Sequence, residues 1–192
     1  MDAARRELLE QLYRDSRAHD ASQEDRLLRF RNVEPESAAL LAVLIRATDA
    51  RRLLEIGTSN GYSTIWLADA ADATGGRVVS VEVDAARTAL ARENLQRARL
   101  TADLRTEDAA TTLAQAADGS FDFVFLDAER SAYVSYWPAL VRTLAPAGLL
   151  VVDNVLSHED QLVEFSALVD ADSRVTTTVV PIGAGLRLAV RA

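Results

Sequence analysis

The chain has 192 residues, 49% hydrophobic and 26% charged, with a formal charge of −8 and no cysteine. These values describe one globular domain burying roughly 70% of its unfolded surface, and they exclude disorder, a disulfide scaffold and a thiolate metal site. The acidic balance argues against a nucleic-acid partner, and no apolar run approaches the roughly 20 residues that cross a bilayer, so no membrane partner and a cytoplasmic location are expected.

From Ala3 to Ala18, Leu8, Leu9, Leu12 and Tyr13 recur at helical spacing among charged residues. The resulting apolar stripe covers either the body of the domain or a second copy of the chain in a homodimer. His19 and Asp20 are expected to interrupt this helix, and Ser22 with Asp25 has the spacing of a cap for a second helix over Glu24 to Arg31. Residues 1–31 therefore read as a helical N-terminal extension. Pro35 opens the next helix at the position where its missing N–H costs nothing, and Ala38 to Ala47 is apolar nearly all round, which predicts a buried helix.

Leu53 to Ser63 reads as a buried strand, a tight turn carrying Gly57 and Gly61, and the start of a helix. Further strands are predicted at Arg77 to Val83, Ala102 to Thr106, Phe121 to Leu126 and Leu149 to Val152, each followed by a helical pattern. Asp84 reads as an N-cap, the helix after Glu107-Asp108-Ala109 is expected to reach Asp118, and Ala145 to Gly148 reads as a turn. Ser157 and Asp160 have capping-box spacing for a helix to Val169. Val175 to Val180 and Leu186 to Val190, joined across Pro181 to Gly185, read as an antiparallel pair. Alternating strands and helices predict an α/β, doubly wound, Rossmann-like sheet, mostly parallel, with an antiparallel C-terminal strand.

In such a sheet ligands bind beyond the carboxyl ends of the strands, where strand order reverses. The polar residues at those ends are Glu55, Gly57, Glu82, Asp108, Asp127, Asp153 and Asn154. Gly57 and Gly61 are separated by three residues, whereas the dinucleotide fingerprint is G-x-G-x-x-G, so the turn suits a nucleotide-like ligand but speaks against NAD. Such a turn also lets a ligand approach where a side chain would clash. Glu82, 27 residues after Glu55, is placed to grip a ribose through both carboxylate oxygens. Asp127, Asp153 and Asn154 offer oxygen at short reach, the donor type preferred by Mg²⁺, Mn²⁺ or Ca²⁺.

Four runs together resemble a known family: Leu-Leu-Glu-Ile-Gly-Thr-Ser-Asn-Gly-Tyr-Ser-Thr from Leu53, Val-Ser-Val-Glu-Val-Asp from Val79, Phe-Asp-Phe-Val-Phe-Leu-Asp-Ala-Glu-Arg from Phe121, and Gly-Leu-Leu-Val-Val-Asp-Asn-Val-Leu from Gly148. They look like the S-adenosylmethionine-dependent, metal-dependent O-methyltransferases that include catechol and caffeoyl-coenzyme A O-methyltransferases. The resemblance runs from about Val33 to the C-terminus. It implies that Val33, Glu55, Gly57, Thr58, Gly61, Ser63, Glu82, Asp108, Ala109 and Asp127 surround S-adenosylmethionine. It also implies that Asp127, Asp153 and Asn154 hold a divalent cation such as Mg²⁺, and that the acceptor is a small molecule with a hydroxyl group. Asp127, Arg130 and His158 are the candidate catalytic residues. One departure stands out: Arg130 occupies the position at which the family usually places a lysine, and an arginine does not readily take a proton. Arg130 is therefore read as binding an anionic group or a developing phenolate, and His158, five residues past Asp153, as the candidate base.

Overall fold

A computed structural model describes all 192 residues. The first strand, β1 (Arg52–Ile56), lies at the centre of a seven-stranded sheet. The others are β2 (Arg77–Glu82), β3 (Asp103–Thr106), β4 (Phe121–Leu126), β5 (Leu144–Val152), β6 (Val175–Val180) and β7 (Leu186–Arg191). Their order is β3-β2-β1-β4-β5-β7-β6, so the chain reverses direction across the sheet between β1 and β4. Only β7 runs against the rest, inserted antiparallel between β5 and β6.

Alternation along the strands builds two cores. Leu53, Phe123, Phe125 and Val151 face one side, while Leu54, Val124, Leu126 and Val152 face the other. Both sides are apolar because both are covered by helices. The first side is covered by α1 (Ala3–Ser22), α2 (Pro35–Ala47), α3 (Tyr62–Thr74) and α4 (Ala85–Ala98). The second is covered by α5 (Ala109–Gln115), α6 (Tyr133–Thr143) and α7 (Val163–Asp170). None of these helices is long and apolar enough to cross a membrane.

The stripe of α1 packs on this same domain, with Leu9 and Leu12 joining the first core. His19 and Asp20 do not interrupt α1, which continues to Ser22. Asp20 instead reaches forward, its two carboxylate oxygens accepting the backbone N–H groups of Phe30 and Arg31 at 2.7 and 2.8 Å. The helix expected over Glu24 to Arg31 shrinks to a single 3-10 turn, Arg26–Leu28, capped by Asp25. The rest of that segment is held by side chains distant in sequence, which local spacing does not encode. Ser59 donates to the Phe30 carbonyl, and Arg87 donates to the carbonyls of Leu27 and Arg29.

Several boundaries also move. Helix α2 buries Leu41 and Ile45 but leaves Val43 mostly exposed, so it is a surface helix. Helix α5 stops at Gln115 rather than Asp118. Ala145 to Gly148 loop out within β5, where Phe121 pairs with Leu144 and Phe123 next pairs with Leu149. Ser157 does not cap a helix; its hydroxyl meets Asn154 and His158, and α7 begins only at Val163 after a 3-10 turn over Glu159–Gln161.

Packing alone already requires glycine at position 57. Its φ is +108°, and a Cβ there would lie 1.9 Å from the Asp127 carbonyl oxygen. Gly61 has φ +83°, and its Cβ would press on Ala91 of α4 at 3.0 Å. Gly57→Ala is expected to cost about 3 kcal/mol or more, combining strain with overpacking, and to lower Tm by about 10 °C. Calorimetry checks this; an unchanged Tm would mean that β1 and β4 are not pinned together here.

Candidate active site

The strand register sets one row of residues at the top of the sheet. Ile56 pairs with Val81 and with Leu126, and Leu126 pairs with Val152. The next residue on each strand is therefore Glu82, Gly57, Asp127 and Asp153, side by side across the point where strand order reverses. The backbone N–H groups of Asp127 and Asp153 continue the ladders to Ile56 and Leu126, which fixes the depth of both acids. Above the row lies a cleft of about 700 Å³, within the size range of small-molecule sites.

Eleven of the residues singled out from sequence line this cleft: Val33, Gly57, Ser63, Glu82, Asp108, Ala109, Asp127, Arg130, Asp153, Asn154 and His158. Glu55, Thr58 and Gly61 lie behind its wall. Glu55 is fully buried because strand alternation turns it toward α3. Its Oε2 accepts the hydroxyls of Thr64 and Ser80 at 2.5 and 2.6 Å, while Oε1 is buried without a partner. Thr58 pairs its hydroxyl with Ser80 rather than with the cleft.

Burial pushes the Glu55 carboxyl from its ordinary 4.5 up to about 7, against the pull of the hydroxyls of Ser80 and Thr64. Between those two values the folded chain keeps a proton that the unfolded chain has lost, so stability falls as pH rises through that window and levels off above it. In the ligand-free protein Glu55→Gln should remove a decline on the order of 3 kcal/mol between about pH 4.5 and 7. Urea midpoints at pH 5 and pH 8 measure it; identical slopes for the native chain and the variant would contradict the assignment.

Glu82 is held from behind. Ser59 N–H donates to Oε2 at 2.9 Å, and the N–H groups of Val83 and Asp84 donate to Oε1 at 2.9 and 3.1 Å. The carboxylate is thereby aimed at the cleft with lone pairs to spare. Asp108 caps α5 through the Ala110 N–H and accepts the Tyr136 hydroxyl, and Ala109 beside it is buried.

At the other end, Asp153 is 1% exposed and Asp127 is partly buried. Burial raises the pKa of Asp127, while Arg31 and Arg130 oppose the rise. Burial and then the charge of Asp127 raise that of Asp153. Asn154 donates from Nδ2 to Asp127 at 3.2 Å and to Asp153 at 3.0 Å, and Asp153 Oδ1 is buried with no partner. The fold gathers no group of three His, Cys, Asp or Glu side chains that could hold a metal. The donor set nonetheless fits a hard cation, because two repelling carboxylates, one with an unpartnered oxygen, flank an amide that on turning over exchanges its NH₂ for an oxygen donor.

The surroundings of this pair were not visible in the sequence. Glu34, which precedes α2, lines the cleft and pushes both aspartates further up. Tyr133 both donates to the carbonyl and accepts from the N–H of Ala128, each at 3.0 Å, stiffening the turn after Asp127. Glu129 accepts from Arg26 and Arg31 at 3.2 and 2.7 Å, closing the N-terminal segment over this end. The loop between β6 and β7 backs the site from below, the Ala184 and Gly185 carbonyls accepting N–H groups of residues 155–157. His158 is lowered by burial and by Arg130 and Arg26, which favours the neutral ring, and its Nδ1 meets the Ser157 hydroxyl at 2.8 Å.

Comparison with known proteins agrees with this layout. An O-methyltransferase family model matches residues 2–192. A catechol O-methyltransferase of Niastella koreensis is 33% identical over 165 residues, covering 77% of this chain and 74% of the relative. The O-methyltransferase of Bacillus cereus, solved in complex with S-adenosylhomocysteine, superposes with a TM-score of 0.78 at 27% identity over 97% of this chain and 91% of that one. The O-methyltransferase of tomaymycin synthesis from Streptomyces achromogenes, solved with S-adenosylmethionine, superposes with a TM-score of 0.80 at 27% identity over 100% and 91%. With its reversal point, its row of strand-end acids and its match over nearly the whole length, the chain belongs to the O-methyltransferase family.

Proposed function

We propose that the chain transfers the methyl group of S-adenosylmethionine to a hydroxyl of a small catechol-like acceptor, with a divalent cation held by Asp127, Asp153 and Asn154. The carrying observation is the unpartnered, buried Asp153 Oδ1 beside Asp127, in one cleft with the backbone-aimed carboxylate of Glu82. Support also comes from relatives named for catechol and from related structures that hold the cofactor or its demethylated product.

In this reading Glu82 accepts both ribose hydroxyls, Asp108 and Ala109 flank the adenine, and Val33, Gly57 and Ser63 line the path of the methionine portion. Glu55, Thr58 and Gly61 shape that path from behind. A bound divalent cation lowers the pKa of a coordinated hydroxyl, the chemistry such an acceptor needs. His158, in the tautomer whose Nδ1–H is donated to Ser157 Oγ, takes the phenolic proton at Nε2. Arg130 cannot serve as that base.

The test is methyl transfer from S-adenosylmethionine to a panel of catechols, with Mg²⁺ added or chelated. Singly methylated product that is lost with EDTA and restored by Mg²⁺ is expected. Turnover indifferent to EDTA would overturn the cation assignment. Cofactor binding with no catechol methylated would overturn the acceptor class.

A further inference from the structure

The acceptor end of the cleft contains a guanidinium whose two terminal nitrogens the protein leaves unpaired. Arg130 is 8% exposed and lines the cleft. Its Nε donates to Gln161 Oε1 at 2.8 Å, while its two terminal nitrogens make no hydrogen bond and have no carboxylate oxygen within 4.0 Å. Of the other arginines lining the cleft, Arg26 and Arg31 donate to Glu129, Arg29 to the Gln23 carbonyl and Arg87 to the carbonyls of Leu27 and Arg29, while Arg31 Nε is buried without a partner and Arg17 is unbonded. Those two nitrogens of Arg130 face solvent in the open cleft, so a ligand oxygen can take them without breaking any protein contact.

We propose that Arg130, oriented by Gln161, binds a carboxylate on the acceptor, so that the acceptor class is a catechol bearing an acidic side chain. This rests on the catechol reading above and narrows it. Two parallel N–H groups of the guanidinium fork match the two oxygens of a carboxylate. A monoanion fits better than a phosphate, because Glu34, which has no cation within 4.0 Å, lines the same cleft and would repel a second negative charge. Lysine at this position would supply charge without the fork, so the residue that makes the site unsuited to proton abstraction is the one that suits it to reading a carboxylate.

The experiment compares 3,4-dihydroxyphenylacetate with 3,4-dihydroxyphenylacetamide by calorimetry on protein loaded with S-adenosylhomocysteine and Mg²⁺. The methylene group insulates the ring, so the two catechols have similar acidity and differ in the charge at the far end. The acid should bind about 10- to 100-fold more tightly than the amide, the range of a charge-assisted pair of hydrogen bonds. Arg130→Gln should bring that ratio close to one. Gln161→Leu, which leaves the charge but frees its direction, should reduce it several-fold and keeps the test intact if Arg130→Gln does not fold. Equal binding of acid and amide to the native protein, or a ratio that neither variant changes, would overturn the proposal. Failure to methylate either compound would instead count against the catechol reading, while the binding ratio still decides the role of Arg130.

Discussion

Asp153→Asn is expected to reduce methyl transfer about 100-fold or more while making the metal-free protein more stable. The two effects share one cause. Asp153 is buried beside Asp127 with an oxygen that no protein group satisfies, and burial and like charge both disfavour its ionised form. Replacing one of two repelling buried carboxylates by an isosteric amide relieves about 1–3 kcal/mol, worth several degrees in Tm for a chain of this size. The same change removes a charged oxygen donor from the set that fits a divalent cation, and Lewis-acid assistance is worth several kcal/mol of barrier. S-adenosylmethionine affinity should stay within a few-fold of native. Activity assay, calorimetric titration and thermal melting in EDTA together check it. A variant that loses stability and activity in parallel would mark Asp153 as a structural residue instead.

Glu82→Ala should weaken S-adenosylmethionine binding about 100-fold with little change in the response to Mg²⁺. A carboxylate accepting two ribose hydroxyls forms two charge-assisted hydrogen bonds, each worth about 1.5–3 kcal/mol. Three backbone N–H groups, from Ser59, Val83 and Asp84, already hold Glu82, so little ordering cost is left to bind against. Equilibrium titration with S-adenosylhomocysteine measures the loss. An unchanged Kd would remove Glu82 from the cofactor site and with it the reason for placing the ribose at the end of β2.

Sequence pattern is a good guide to this fold where the determining contacts are local. Leu53, Leu54 and Ile56 are apolar because the strand is covered on both faces, and Asp84 caps its helix through the N–H group two residues on, so both were legible. Gly57 was legible as a glycine but not for its reason, since the atom that excludes a side chain is the Asp127 carbonyl on another strand. Glu55 read as a strand-end acid facing the ligand, yet the alternation of β1 turns it into the core under α3. The helix expected over Glu24 to Arg31 failed most fully, because Asp20, Ser59, Arg87 and Glu129 shape that segment from four other places in the chain. Arg130 was conspicuous by its departure from the family pattern, whereas the group that orients it, Gln161, lies 31 residues away and carries no motif. The insertion of β7 between β5 and β6 likewise depends on pairing partners that a hairpin signal does not name.

Crystals grown with S-adenosylhomocysteine and Mn²⁺ offer the most direct measurement of the central claim, since anomalous scattering locates the cation without reference to turnover. The account predicts one peak among Asp127, Asp153 and Asn154, with the ribose of the bound nucleoside on Glu82. No peak at those three side chains in crystals that do hold the nucleoside, or a peak elsewhere in the cleft, would contradict it.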